Sequence, residues 1–141
     1  MPQDFISYRR LTGYKYQTTH HTSCQIPSDL FHNLASSATL TSGGGYITLN
    51  IAQRSINIRK GYCWDGPSGP TIDSPSFMRG SLFHDAWYQI MREYEYYRIF
   101  REDADKLLKR HCIEDGMWSW RANLVYWGVR TFGGRSAGDQ P

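Results

Sequence analysis

The stretch Phe77-Met78-Arg79-Gly80-Ser81-Leu82-Phe83-His84-Asp85-Ala86-Trp87-Tyr88-Gln89-Ile90-Met91 decides the fold. Leu82, Phe83, Ala86, Trp87, Ile90 and Met91 recur at i, i+1, i+4 and i+5, the spacing that gathers apolar side chains on one side of an α-helix. A helix is therefore predicted from about Phe77 to Arg92. Residues three and four apart share a face, so Ser81, His84, Asp85 and Tyr88 fall away from the apolar stripe, with His84 and Tyr88 one above the other.

Toward the C-terminus, the polar run Glu93-Tyr94-Glu95-Tyr96-Tyr97 interrupts the pattern. Phe100, Ala104, Leu107, Leu108 and His111 then resume it in a second helix to Cys112, which Gly116 closes as a C-cap. Trp118, Arg121, Ala122, Val125, Tyr126 and Val129 suggest a third. On the N-terminal side the periodicity changes to two. Tyr46-Ile47-Thr48-Leu49-Asn50-Ile51 places Ile47, Leu49 and Ile51 on one face, and Ser55-Ile56-Asn57-Ile58-Arg59 follows after a short turn, which reads as a β-hairpin. Residues 14–22 read as another strand, and Pro27–Leu34 as a helical turn or a loop. Gly43-Gly44-Gly45 has no lysine and no following helix, so it reads as a connection and not a phosphate loop. The expected class is α+β: an N-terminal β-hairpin or small antiparallel sheet followed by two or three helices. Residues 1–133 would form one domain and residues 134–141 a polar, flexible tail.

Composition narrows the function classes. A chain of 141 residues is long enough for a single buried core. Three cysteines, Cys24, Cys63 and Cys112, are odd in number and widely spaced, which argues against a disulfide framework and for a reducing compartment. No stretch approaches the ~20 apolar residues of a membrane span, and residues 1–5 do not begin a leader pattern. A net charge of +3 is too small to indicate nucleic acid as a partner. Ten tyrosines and five tryptophans fit a filled core or a broad contact surface equally well.

If the first two helices form an antiparallel hairpin through residues 93–98, His84 and Asp105 are equidistant from its midpoint between Tyr94 and Glu95. Asp105 can then face His84. A carboxylate on one imidazole nitrogen fixes the tautomer and leaves the other nitrogen free to accept a proton, the arrangement of a general base with its orienter. The same pair serves equally well as a satisfied buried structural network. Asp85 points roughly 100° away around the helix. With Asp65 and carbonyls of the turn Asp65-Gly66-Pro67-Ser68, it could offer the oxygen shell that calcium prefers, although Asp beside Gly and Pro is also ordinary turn chemistry. Cys63 reads as packing, and His20-His21 on a strand would point to opposite faces.

Two resemblances follow from these motifs. The set Gly61-Tyr62-Cys63-Trp64-Asp65-Gly66-x-Ser68, Ser81-Leu82-Phe83-His84-Asp85-Ala86-Trp87-Tyr88 and Arg101-x-x-Ala104-Asp105-Lys106-Leu107-Leu108, with Gly116, resembles a family of tailed-phage and prophage proteins of unassigned activity, over roughly residues 45–134. That resemblance implies synthesis in a host cytoplasm, with incorporation in a virion and phage structural proteins as partners. More distantly, the Asp-Gly loop, the His-Asp-x-x-Tyr helix and the following Asp are similar to the small phospholipases A2, particularly the bacterial ones. This second resemblance implies His84 as the water-activating base, Asp105 as its orienting carboxylate and Tyr88 as a hydrogen-bonding support. It further implies Asp85 as a calcium ligand, Asp65 and Gly66 as part of the calcium loop, and a lipid or envelope ester as substrate. The expected function is thus a calcium-dependent ester hydrolase of phage origin. Its rival is a non-enzymatic tail, baseplate or capsid-associated component that uses the same residues structurally. The sequence leaves the oligomeric state open.

Overall fold

The computed structural model describes residues 6–12, 16–34, 38–66 and 74–138. The chain divides into two compact units, one of residues 4–65 and one of residues 66–141 with residues 1–3. Among the described residues seven short strands precede three helices, so the protein is α+β with its sheets N-terminal and its helices C-terminal.

In the first unit, β3 (Thr22–Gln25), β4 (Thr39–Ser42), β5 (Ile47–Asn50) and β6 (Ser55–Ile58) form an antiparallel sheet in the order β3-β6-β5-β4. The β5–β6 hairpin pairs Ile47 with Ile58 and Leu49 with Ile56. These four side chains are fully buried, which locks the register, since a slip of one residue would turn all of them to the other face. Arg54 closes the hairpin at φ +49°, and its guanidinium donates to the carbonyls of Pro27 and Leu30 at 2.8 Å each. That clasp holds the Pro27–Leu34 segment, which the structure shows as turns. A smaller antiparallel sheet contains β1 (Tyr8–Arg10), β2 (Tyr16–Thr18) and β7 (Cys63–Trp64) in the order β1-β2-β7.

The single strand read over residues 14–22 is thus two elements. β2 and β3 belong to different sheets, with a bend between them at Thr19 and His20. His20 and His21 lie in that connection and not on a strand.

The second unit is helical: α1 (Pro75–Glu93), α2 (Arg101–Glu114) and α3 (Ser119–Phe132). Pro75 opens α1 at a position where a missing N–H costs nothing. A 3-10 turn over Glu95–Phe100 reverses the chain into α2. α2 ends in a Schellman motif: Gly116 adopts φ +99°, its N–H donates to Ile113 O at 3.1 Å, and Met117 N–H donates to Cys112 O at 2.9 Å. α1 and α2 run antiparallel and touch closely at Gly80, where a Cβ would lie 3.0 Å from the Leu108 side chain and 3.3 Å from that of His111. Phe77, Leu108, Cys112, Met117, Ala122 and Val125 bring the three helices into one apolar core. A further 3-10 turn over Arg135–Ala137 lies within the stretch read as a tail, and Ala137 is fully buried. No helix among the described residues is long and apolar enough to cross a membrane.

Candidate functional site

Within the helical unit, α1 is buried nearly all round, so its polar face meets protein. His84 and Tyr88, one turn apart, are both buried, and their rings lie 4.1 Å apart between centroids. The antiparallel pairing brings α2 across this face and places Asp105 opposite them. His84 Nε2 lies 2.7 Å from Asp105 Oδ1, and the Tyr88 hydroxyl donates to the same oxygen at 2.6 Å. The other carboxylate oxygen, Oδ2, accepts from Arg130 Nη1 of α3 at 2.9 Å.

Asp105 has no exposed surface, so its charge must be met by these donors. Burial by itself pushes the carboxyl upward. The hydrogen bond and charge of His84, and then the hydrogen bonds of Tyr88 and Arg130, outweigh it and hold the group below its ordinary value. Burial and the adjacent carboxylate together raise the Tyr88 phenol. Tyr88 therefore stays a donor. Because an ionised carboxylate only accepts, the proton on a neutral His84 lies on Nε2 and the lone pair on Nδ1. His84 has no second hydrogen bond among the described residues, and its side chain keeps 8% of its surface exposed.

The sequence reading missed two residues that build this cluster. Arg101 Nε donates to the Tyr88 hydroxyl at 3.3 Å, and its Nη2 donates to the carbonyls of Val129 and Arg130 at 2.8 and 3.0 Å. Those carbonyls belong to the last turn of α3, where a cation is favoured, and that of Val129 also accepts from Gly133 N–H at 2.9 Å. Arg101 thus fixes the end of α3 at the height where Arg130 reaches Asp105. Gly133 completes the approach, because a Cβ there would stand 2.7 Å from the Tyr88 hydroxyl. Arg101 precedes Asp105 by one turn, but nothing in the sequence reports how α3 crosses the hairpin.

The residues expected to hold calcium are not gathered in the same way. Asp85 is half-buried on α1 beside His84. Asp65 is exposed at the end of the sheet unit, and Gly66, at φ +75°, begins the helical one. Pro67, Ser68, Pro70 and Asp73 lie outside the described residues. Among the described residues, no group of three or more His, Cys, Asp and Glu side chains is placed to hold a metal ion. The three cysteines are free thiols, Cys24 and Cys112 buried and Cys63 half-buried.

No protein-family model, no curated protein and no solved structure matches the chain. The reading of the site therefore rests on its own chemistry.

Proposed function

We propose that the helical unit is a hydrolase in which His84 is the general base, acting on an ester of a lipid or envelope component in a phage setting. The observation that supports this reading is the polarity of the imidazole: Nε2 is committed to the buried Asp105 and Nδ1 has no partner among the described residues. A water at Nδ1 would give up its proton as it attacks the ester carbonyl. Asp105 would stabilise the imidazolium that forms, with Tyr88 and Arg130 holding the carboxylate in place. Calcium bound at Asp85 and the loop starting at Asp65 and Gly66 would supply positive charge opposite the developing oxyanion.

The test is hydrolysis of a panel of soluble esters and phospholipids, with and without calcium, by wild type and His84→Gln. A glutamine can still donate to Asp105 but cannot accept a proton as a base. The expected outcome is a folded variant with turnover reduced by about 10²–10⁴-fold. Wild-type protein that hydrolyses nothing under either condition defeats the proposal.

One observation favours a second reading, in which the cluster is purely structural: Asp105 of α2 is wholly buried and met by donors from both other helices, α1 and α3. Such a network can tie α1, α2 and α3 together in a virion component without catalysis. On that reading His84→Gln changes stability alone.

A further inference from the structure

The net charge of +3 is unevenly placed. Residues 66–141 carry ten Asp and Glu against ten Arg and Lys, whereas residues 4–65, the sheet unit, carry three against six. The whole excess therefore sits on the sheets, and between Phe5 and Trp64 the one acidic residue is Asp29. Spread over the full chain the charge points to no partner, but gathered on one unit it favours an anionic one.

Not all six cations are open to such a partner. Arg54 is occupied with the carbonyls of Pro27 and Leu30. Lys15 lies outside the described residues. Arg10 alternates with Arg9 along β1 and so projects from the other face of that sheet. Arg9, Arg59 and Lys60 remain. All three are exposed, and no carboxylate among the described residues pairs with them.

These three cations lie along one line of contacts. Tyr46 and Arg59 oppose each other at the open end of the β5–β6 hairpin, one step beyond the Ile47–Ile58 pair, and Arg59 N–H donates to Tyr46 O at 2.8 Å. Because Ile47 and Ile58 point into the core, Tyr46 and Arg59 point away from it. The Arg59 guanidinium lies 6.0 Å from the centre of the Tyr46 ring. That ring is 39% exposed and rests against Gly61, where a Cβ would come within 3.3 Å of it. Gly61 O accepts from Gln17 Nε2 at 3.1 Å, and Gln17 Oε1 accepts from Arg9 Nε at 2.8 Å. A neutral amide thus links Arg9 to the turn of Arg59, Lys60 and Gly61 without cancelling its charge.

Residue types narrow the partner. Tyr8 and Tyr46 are the only large apolar side chains exposed among the described residues of this unit. With no exposed aliphatic or indole group, the unit has nothing to sink into lipid and no apolar centre for a protein interface. A phenol ring among cations instead suits a chain of phosphates that carries flat bases: the cations meet phosphates, and the ring offers a face on which a base stacks. We propose that the surface of Arg9, Tyr46, Arg59 and Lys60 binds single-stranded nucleic acid, with a base on Tyr46 and phosphates against the three cations. The site lies wholly within the sheet unit and stands whether or not His84 is catalytic.

The experiment is fluorescence anisotropy of a labelled oligothymidylate of about twelve nucleotides titrated with the full chain, a length within the roughly 4–16 nucleotides that small single-strand-binding folds cover. Log Kd should rise with log salt at a slope of about 2, roughly 0.7 for each phosphate contact of a single strand. Arg9→Gln/Arg59→Gln/Lys60→Gln should bring that slope close to zero, whereas Arg10→Gln should leave it unchanged. Tyr46→Leu should keep the slope and bind about tenfold more weakly, and Tyr46→Trp should bind at least as tightly as wild type. An abasic oligomer of the same length should bind about tenfold more weakly than the thymidylate and be indifferent to Tyr46→Leu. The replaced side chains are all exposed, so thermal unfolding of each variant should match wild type. Absence of binding, a slope unchanged in the triple variant, or Tyr46→Leu binding like wild type each overturns the proposal. So does binding of phosphatidylglycerol vesicles in preference to the oligonucleotide, because the surface would then serve a lipid.

Discussion

His84 and His111 are both buried histidines on the α1–α2 hairpin, yet their surroundings give them opposite chemistry. His84 faces Asp105, a buried carboxylate 2.7 Å from its Nε2. His111 lies against Phe83, with ring centroids 5.9 Å apart, and near the cations Arg79 and Arg110. Burial first, and then those two charges, push His111 down to about 3. One imidazole has an anionic partner, and the other is held neutral. A histidine on a helix therefore indicates little until the residue facing it from the neighbouring helix is known, Asp105 of α2 for His84 and Phe83 of α1 for His111.

The sharpest way to break the contrast is to remove the carboxylate. Asp105→Ala leaves the Arg130 charge without its partner and strips the acceptor from Tyr88 and His84. Breaking a buried charged pair from one side costs about 3–5 kcal/mol, so the variant should unfold at much lower urea than wild type. A loss below ~1 kcal/mol would mean that the cluster does not hold the three helices together.

The other half of the contrast is read by pH. Below its ordinary value of 6.5, His111 gains a proton in the unfolded chain but not in the fold, so the unfolded state binds more protons. Its contribution is whole above about 6.5 and declines as pH falls toward about 3. Asp105 acts elsewhere: its folded value lies below the ordinary 3.8, so its contribution is intact at pH 5 and is lost only in stronger acid. Between pH 7 and pH 5, His111 should therefore cost the wild type roughly 2 kcal/mol. Urea unfolding of His111→Leu at the two pH values should show that much less acid sensitivity. An unchanged difference would show that His111 is protonated in the fold.

How far the sequence discloses this arrangement depends on the range of each signal. The α1 stripe, the β5–β6 alternation and Gly116 are local, and each element formed where its spacing placed it. The opposition of His84 and Asp105 followed from one further step, the symmetry of an antiparallel hairpin about residues 94 and 95. β1, β4 and β7 are only two to four residues long, too short for an alternating pattern to show, and β7 depends on a partner distant in sequence, β2. The same limit hid Arg130 and Arg101. Arg130 follows Asp105 by 25 residues, and only the path of α3, set by the core around Ala122 and Val125, brings the two together.

Tyr88 permits the finest test of whether Asp105 is shaped for His84 or for the network as a whole. Tyr88→Phe keeps the ring against His84 and removes one hydrogen bond to Oδ1, while His84 and Arg130 still donate to the carboxylate. A single hydrogen bond to a charged acceptor contributes about 1.5–3 kcal/mol at most, and the remaining donors should reduce the loss to about 1 kcal/mol in urea unfolding. If Asp105 serves His84, the phenylalanine variant should also turn over ester more slowly than its small stability loss explains. The freed Oδ1 lone pair then belongs to His84 alone, and the ring is held less firmly in position. If the cluster is structural, Tyr88→Phe and Asp105→Ala should differ only in how much stability they remove.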